Sequence, residues 1–321
     1  MESKSETIAA VVVTYNRKLL LKECLEGILA QNRPVQGIVI IDNASIDRTP
    51  EMLKDLGFLE NVPTDGGQEP GVNRTVRALA NGGKDVALHY VRLSTNAGSS
   101  GGFYEGVKRA YNMGFDRLWI MDDDCLPQET CLAELLENLS PREYGGPIRF
   151  TRDGVPLTAL KKVYAEVGHR VESLTFAFNG LLMPRRIVAE IGFPLKGFFI
   201  SFDDTEYCKR ARDHDFKGYY IRTAKLYHPD APHFDLRFAG LKITVPNYTK
   251  GDRIFYAARN VMYTYRLHKK HNRLRGVIKV YGYEILALFF KEFSLRRLRL
   301  LVKGVATGVF TKPVTNDECR S

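Results

Sequence analysis

Ile8-Ala9-Ala10-Val11-Val12-Val13-Thr14 is an unbroken apolar run in which five of seven residues are β-branched. A strand with one wet face alternates polar and apolar residues, so a continuous run of this length suits a strand covered on both faces. Asn16-Arg17-Lys18 follows, and Leu19, Leu20, Cys24, Leu25, Ile28 and Leu29 then recur at helical spacing. Ile38 to Ile41 reads as a second buried strand ending in Asp42-Asn43-Ala44-Ser45, and Pro50 sits at the first helical position of a helix from Thr49 to about Leu56. Strand, helix, strand, helix predicts an α/β fold: a mostly parallel, Rossmann-like central sheet with right-handed crossovers and flanking helices.

Further along, residues 60–84 are rich in Gly, Pro and Asn and read as a loop or insertion, and Val86 to Arg92 resumes as a third strand. Asn96-Ala97-Gly98-Ser99-Ser100-Gly101-Gly102 precedes a helix expected from Phe103 to Met113. A strand from Arg117 to Met121 then ends in Asp122-Asp123-Asp124. Open α/β sheets bind ligands outside the carboxyl ends of their strands, so these four polar or glycine-rich strand ends should meet in one crevice. Later expectations are a helix from Glu129 to Leu139, strands around Phe150 and Phe176, and a helix from Asp203 to about Asp213. A short strand from Gly218 to Ile221 and a turn at Tyr227-His228-Pro229-Asp230 complete this part.

With 321 residues, 44% of them hydrophobic, the chain can bury a full core, which excludes disorder as its main state. The net charge of +10 is unevenly placed. Residues 1–249 carry 31 basic and 32 acidic side chains, whereas residues 250–312 carry 15 basic and 3 acidic. From about Asp252 the pattern is helical, basic and aromatic, which divides the chain into a nearly neutral region at 1–249 and a basic helical region at 250–321. Between Tyr256 and Val309, aromatic and leucine side chains interleave with residues such as Arg296, Arg297, Arg299 and Lys303. That suits helices at an anionic bilayer surface, and equally helices packed on the sheet with a solvated basic face. Five scattered cysteines without CxxC spacing indicate neither a disulfide framework nor a structural zinc site and suit a reducing cytosol. The apolar run Ile8 to Val13 is too short for a signal-peptide core, and no stretch approaches the roughly 18 apolar residues of a spanning helix.

Three adjacent carboxylates at a strand end repel one another unless a cation lies among them, so Asp122, Asp123 and Asp124 point to a hard divalent metal and a phosphorylated ligand. A solvated acidic turn is the bland alternative. Small residues from Asn96 to Gly106 would let backbone N–H groups approach such a ligand, or would simply serve a tight loop. Asp203, Asp204 and Glu206 are candidates for general-base work, and as helix-starting acids they also suit ordinary first-turn positions. His228 is a potential metal ligand or a structural hydrogen-bonding residue.

Taken in order, Val11-Val12-Val13-Thr14-Tyr15-Asn16-Arg17, Ile41-Asp42-Asn43-Ala44-Ser45, Asn96 to Gly106, Asp122 to Asp124 and Asp203-Asp204-Thr205-Glu206-Tyr207 resemble the motifs of family 2 nucleotide-sugar glycosyltransferases, which have the GT-A fold. The resemblance spans roughly residues 8–235. NAGSSGGFYEG, MDDDC and FFISFDDTEY are most similar to bacterial galactofuranosyltransferases, with rhamnosyltransferases as near neighbours. The resemblance implies that Thr14, Asn16 and Arg17 line the nucleotide diphosphate, that Asp42 and Asn43 meet the base, and that Asn96, Gly98, Gly101 and Gly102 lie along the nucleotide-sugar. It implies a Mn²⁺ or Mg²⁺ held by Asp122, Asp124 and His228, with Asp123 near the ribose or sugar. Asp204 would be the general base and Asp203 would position donor or acceptor hydroxyls. His228, 24 residues after Asp204, stands where the family has its metal-binding histidine. The chain departs from the galactofuran polymerases in having one tryptophan, Trp119, where they use several at the acceptor site; Phe198, Phe199, Phe202 and Asn179-Gly180 stand where some of these are expected.

The implied activity is inverting, metal-dependent transfer of galactofuranose from UDP-galactofuranose to a glycan or lipid-linked glycan, in cell-surface polysaccharide synthesis at the inner face of the plasma membrane. Transfer of rhamnose from dTDP-rhamnose is the neighbouring alternative. A nucleotidyltransferase of similar sheet architecture would use the metal and the glycines but release pyrophosphate. A nucleic-acid-binding protein would explain the charge, but it leaves two acidic clusters beside the crevice without a role, so no nucleic-acid partner is expected.

Overall fold

The computed structural model describes residues 6–62, 71–79, 85–230, 233–238, 241–246, 252–268, 274–290, 294–313 and 316. Its first half runs β1 (Ile8–Thr14), α1 (Lys18–Leu29), β2 (Gly37–Asp42), α2 (Thr49–Asp55), β3 (Gly71–Leu79), β4 (Asp85–Arg92), α3 (Gly98–Asn112) and β5 (Arg117–Asp122). Strands β4, β2, β1 and β5 lie side by side, all parallel. Every residue of β1 and β2 is buried. Successive side chains of a strand point to opposite faces, and β1 uses both. Ala9, Val11 and Val13 join the core shared with α3, while Ile8, Ala10 and Val12 join the core shared with α1. The unbroken apolar run therefore reflects a strand with no wet face.

Two expectations in this half need correction. Residues 60–84 are not simply a loop, because β3 lies within them and pairs antiparallel with β4. Its sequence alternates only at Val76-Arg77-Ala78, after the polar run Asn73-Arg74-Thr75 where the pairing with β4 is irregular, so the strand leaves little period-2 signal. Helix α3 starts at Gly98, five residues before the expected start. Gly and Ser have poor helix propensity, but close packing decides here: a Cβ at Gly102 would lie 2.5 Å from Val13 Cγ1, and one at Gly106 would lie 2.4 Å from Val11 Cγ1.

The second half adds β6 (Leu126–Pro127), α4 (Cys131–Asn138), β7 (Glu143–Phe150), α5 (Lys161–Ala165), β8 (Arg170–Glu172), β9 (Leu181–Pro184), α6 (Arg185–Ile191), α7 (Asp203–Asp213) and β10 (Lys217–Tyr227). These strands extend the sheet to the order β3-β4-β2-β1-β5-β9-β7-β10-β6, with β8 on β10. No strand forms around Phe176. Its ring is buried edge-on to Tyr144 and tilted against Tyr220, and the strand edge beside β5 is taken instead by β9, antiparallel to it. Strand β10 is longer than the four residues expected because it pairs in two stretches, separated by an irregularity between Ile221 and Lys225.

Beyond these lie an antiparallel pair, β11 (His233–Phe238) and β12 (Leu241–Pro246), and three helices: α8 (Arg253–Leu267), α9 (Leu274–Phe290) and α10 (Leu295–Phe310). The expected boundary at 249/250 falls outside the described residues. Helices α8 and α10 pack closely at glycines; a Cβ at Gly304 would lie 2.5 Å from the Phe255 carbonyl oxygen. On its other side α8 buries Tyr263 with Leu195 and Phe198. Among the described residues no helix is long and apolar enough to cross a membrane.

Candidate active site

A cleft of about 610 Å³ opens at the carboxyl ends of the parallel strands. Thr14 and Arg17 reach it from the end of β1, Asn43 from β2, Asn96 and Gly98 from the start of α3, and Asp122, Asp123 and Asp124 from β5. Asp203 and Asp204 reach it from the start of α7, and His228 from just beyond β10. Of these residues, Thr14 and His228 are 214 positions apart in sequence and yet share one cleft, as the strand-end rule requires.

The three aspartates after β5 have different surroundings. Asp123 is buried, accepts a hydrogen bond from Thr14 Oγ1 at 2.7 Å, and pairs with Arg17 at 3.2 Å. Burial pushes its pKa up to about 6, with Arg17 and Thr14 pulling the other way. Burial, together with Asp124 and Asp123 alongside, holds the Asp122 carboxyl well above the ordinary range. Burial also opposes charge on Asp124, but His228 and Arg17, the latter at 2.8 Å, outweigh it and lower its pKa.

Asp124 Oδ1 is buried without a hydrogen-bond partner, although His228 Nε2 lies 3.2 Å away. His228 Nδ1 is 2.5 Å from the Pro229 carbonyl oxygen, so that nitrogen carries a proton; Nε2 faces Asp124 as a donor when the ring is doubly protonated, the form that lowers the Asp124 pKa, and as a lone pair when the ring is neutral. Two acceptors at this distance require a proton or a cation between them. The donor set therefore suits a divalent cation, and the carbonyl that orients the His228 ring is the usual outer support of a metal-binding histidine. Among the described residues, the metal-ligating atoms that lie within 4.8 Å of one another belong to Asp124, Cys125 and His228. Asp122, expected as a ligand, does not join that group. Cys125 is a poor ligand for a hard ion, since its sulfur is soft and burial raises its pKa well above the usual range.

Opposite this wall, a 3-10 turn at Lys196–Phe198 leads into Phe199, Ser201 and Phe202, all left-handed with φ of 64°, 70° and 66°, and then into α7. Asp203 is buried, and burial with Asp204 beside it pushes its pKa up to about 7. Asp204 is half-buried, accepts from the Thr205 amide at 2.5 Å, and has its pKa raised by burial. Two neighbouring carboxylates with raised pKa values facing a cleft are equipped to take up a proton near neutral pH. Of the aromatic residues expected to stand in for acceptor-site tryptophans, Phe199 lines the cleft with Asn179, whereas Phe198 is wholly buried in the core. Trp119 is also buried, its indole N–H donating to the Gly180 carbonyl at 3.1 Å.

Four residues expected to meet the ligand do not line the cleft. Asp42 is fully buried and accepts from Tyr90 Oη at 2.6 Å and the Ser45 amide at 2.7 Å, which shapes the turn that presents Asn43. Asn16, at φ 54°, accepts from the Ile46 amide at 2.7 Å and so ties the ends of β1 and β2 together. Gly101 and Gly102 lie within α3, where they serve packing. In the other direction, Arg253 at the start of α8 lines the cleft. Its place in the basic C-terminal run gave no sign of this.

Residues 9–160 match the family model described as Glycosyl transferase family 2. The chain is 24% identical over 244 residues to Galactofuranosyltransferase GlfT1 of Mycolicibacterium smegmatis, a match covering 70% of this chain and 72% of that protein. Among solved structures, S. aureus TarS superposes with a TM-score of 0.57 at 10% identity over 94% of this chain, which spans 48% of that one. The mannosyltransferase PcManGT from Pyrobaculum calidifontis, in complex with GDP-Man and Mn²⁺, has a TM-score of 0.56 at 16% identity over 96% of this chain and 82% of its own. At these identities the structural likeness carries the fold.

Proposed function

We propose that this chain, whose residues 9–160 match the family 2 glycosyltransferase model and whose fold is that of GT-A glycosyltransferases, transfers galactofuranose from UDP-galactofuranose to a glycan or lipid-linked glycan by a single inverting displacement. The observation that carries this reading is the meeting of two acidic groups, Asp122–Asp124 and Asp203–Asp204, across one cleft with His228 at its rim. The name of the mycobacterial relative supports the choice of sugar.

In this reading Asp204 accepts the proton of an acceptor hydroxyl as its oxygen attacks the anomeric carbon, while Asp203 holds a hydroxyl in line. Asp124 and His228 would hold a Mn²⁺ or Mg²⁺, which when bound offsets the charge developing on the departing nucleoside diphosphate. Arg17, fixed by Asp123 and Asp124, adds a positive charge at the same wall. A panel of nucleotide-sugars tests the reading. Metal-dependent thermal stabilisation by UDP species, followed by release of UDP with retention of the sugar on an acceptor, is the expected result. Stabilisation by dTDP-rhamnose alone would replace galactofuranose with rhamnose, and release of pyrophosphate would overturn the reading.

The acceptor reading extends to the membrane. Along α10, Leu295, Arg299, Val302, Lys303, Val309 and Phe310 are exposed on one side while Arg297, Leu301, Gly304 and Gly308 are buried on the other. Phe289 and Phe290 at the end of α9 are 59% and 66% exposed. Apolar and basic residues on one face suit a surface of anionic lipid at the cytoplasmic side of a membrane, beside a lipid-linked acceptor. The chain should float with vesicles containing anionic lipid and lose that association when Phe289, Phe290 and Phe310 are changed to Ser. Equal flotation of the two proteins would return α9 and α10 to a purely packing role.

A further inference from the structure

The loop that delivers Asp203 and Asp204 is held by a helix from the C-terminal region. Phe199, Ser201 and Phe202 all adopt left-handed backbone, a conformation that residues with a Cβ avoid unless their surroundings impose it. What imposes it is α8. Asn260 is wholly buried, and its Nδ2 donates to three successive parts of the loop: the carbonyl oxygens of Phe198 at 2.9 Å, Ile200 at 3.0 Å and Ser201 at 2.8 Å. An amide nitrogen has two hydrogens, so one of these bonds is shared between two acceptors. Arg259 fixes the orientation of that amide by donating from Nε to Asn260 Oδ1 at 2.9 Å, and its own Nη2 reaches the carbonyls of Gly197 and Phe198 at 2.8 and 3.0 Å. The ring of Phe199 stacks on Tyr256 of the same helix with centroids 4.8 Å apart.

The grip continues on both sides of the loop. Toward the donor wall, the Phe199 carbonyl accepts from the Ser100 amide at 3.1 Å, and Gly98 leaves room for it, since a Cβ there would lie 2.0 Å from that oxygen. Toward α7, His268, just past the end of α8, contacts Glu206 at 3.0 Å and Asp213 at 2.5 Å, which lie in the first and last turns of the helix that begins with Asp203. Asn260 itself does not line the cleft. We propose that Asn260, oriented by Arg259, is a positioning residue for the transfer reaction: it holds Asp203 and Asp204 in register with the donor wall. The catalytic unit therefore includes α8 and does not end before the basic C-terminal region. This inference rests on the transferase reading above.

The test compares wild type with Asn260→Leu, which has nearly the same size and no donor, and with Asn260→Ser, which keeps one donor. Expected for Asn260→Leu is a fall in kcat per folded molecule of about 30- to 100-fold, as a displaced reacting group gives, with the donor KM within about threefold because the β1 and β5 strand ends stay in place. Amide hydrogen exchange at residues 199–204 should quicken while that of β1 and β5 is unchanged, and Asn260→Ser should recover part of both effects. A merely structural role would lower the melting temperature and the folded fraction but leave kcat per folded molecule unaltered. Turnover of the folded Leu variant within threefold of wild type, or wild-type exchange at residues 199–204, overturns the proposal. Should Asn260→Leu not fold, Asn260→Ser carries the same comparison. Should wild type consume no nucleotide-sugar, the transferase reading fails, while exchange at residues 199–204 still decides whether Asn260 holds the loop.

Discussion

Changing Asp204 to Asn should lower kcat about 1000-fold, or about 4 kcal/mol of barrier, and leave the donor KM within about threefold. The substitution keeps the size of the side chain and removes only its capacity to take a proton. The amide oxygen can still accept from the Thr205 amide, as Asp204 Oδ1 does, so the start of α7 should keep its conformation. Asp204 and Asp203 can be told apart by burial: Asp203 is 5% exposed, while Asp204 is half-buried and open to an incoming hydroxyl. Asp203→Asn should therefore cost less in kcat and more in acceptor KM. The pH profile supplies a second check. A base works only when deprotonated, and burial raises the pKa of both acids, that of Asp203 to about 7. Activity should thus rise with pH across a range above that of an ordinary carboxylate, and in the residual activity of Asp204→Asn that limb should be displaced to lower pH, because Asp203 then lacks the neighbouring charge that helps raise its pKa. The two acids titrate as a coupled pair, so the limb belongs to both. If Asp204→Asn turned over within tenfold of wild type, the proton acceptor would lie elsewhere.

The parallel half of the sheet was legible because burial on both faces leaves a direct trace, as in the unbroken Ile8–Val13 run and in Ile38–Ile41. Strand ends carrying Asp122–Asp124, Asn43 and Thr14 followed from it, and so did their convergence. Legibility failed where tertiary contact overrides local preference. Gly98 to Gly102 reads as a phosphate-cradling loop, yet it forms the first turns of α3 because only glycine lets that helix lie against Val13. Asp42 carries the same strand-end signature as Asp122, but Tyr90, which bonds to it from β4, is 48 residues away and nothing local announces that bond. The left-handed loop before Asp203 contains no glycine to mark it, since Asn260 and Arg259 hold it from a distance of some 60 residues. Arg253 was hidden for a related reason: one cleft-lining arginine cannot be distinguished by type from the basic residues around it.

The choice between Asp122 and Asp124 as the principal metal ligand is where sequence expectation and geometry part, and a pair of variants decides it. Asp124→Asn should abolish most metal-dependent binding of UDP and lower kcat/KM about 1000-fold, an interaction worth about 4 kcal/mol in the transition state. Asp124 carries the buried oxygen that lacks a hydrogen-bond partner and faces His228 Nε2, and its lowered pKa keeps it charged throughout the neutral range. An amide in its place retains a hydrogen-bonding oxygen but loses the charge that balances a divalent ion and Arg17. Asp122→Asn should cost distinctly less, because its carboxyl lies outside the group formed by Asp124, Cys125 and His228. Asp123→Asn behaves differently again. Its bonds to Thr14 and Arg17 hold the wall itself, so the first loss should be in melting temperature. Titration calorimetry of UDP with and without Mn²⁺ separates the three, since only a ligand of the ion removes the difference between the two conditions. Wild-type activity that survived excess chelator would remove the ion from the reaction, and an Asp122→Asn defect as large as that of Asp124→Asn would move the ion from the position that the unpartnered Asp124 oxygen and the His228 lone pair define.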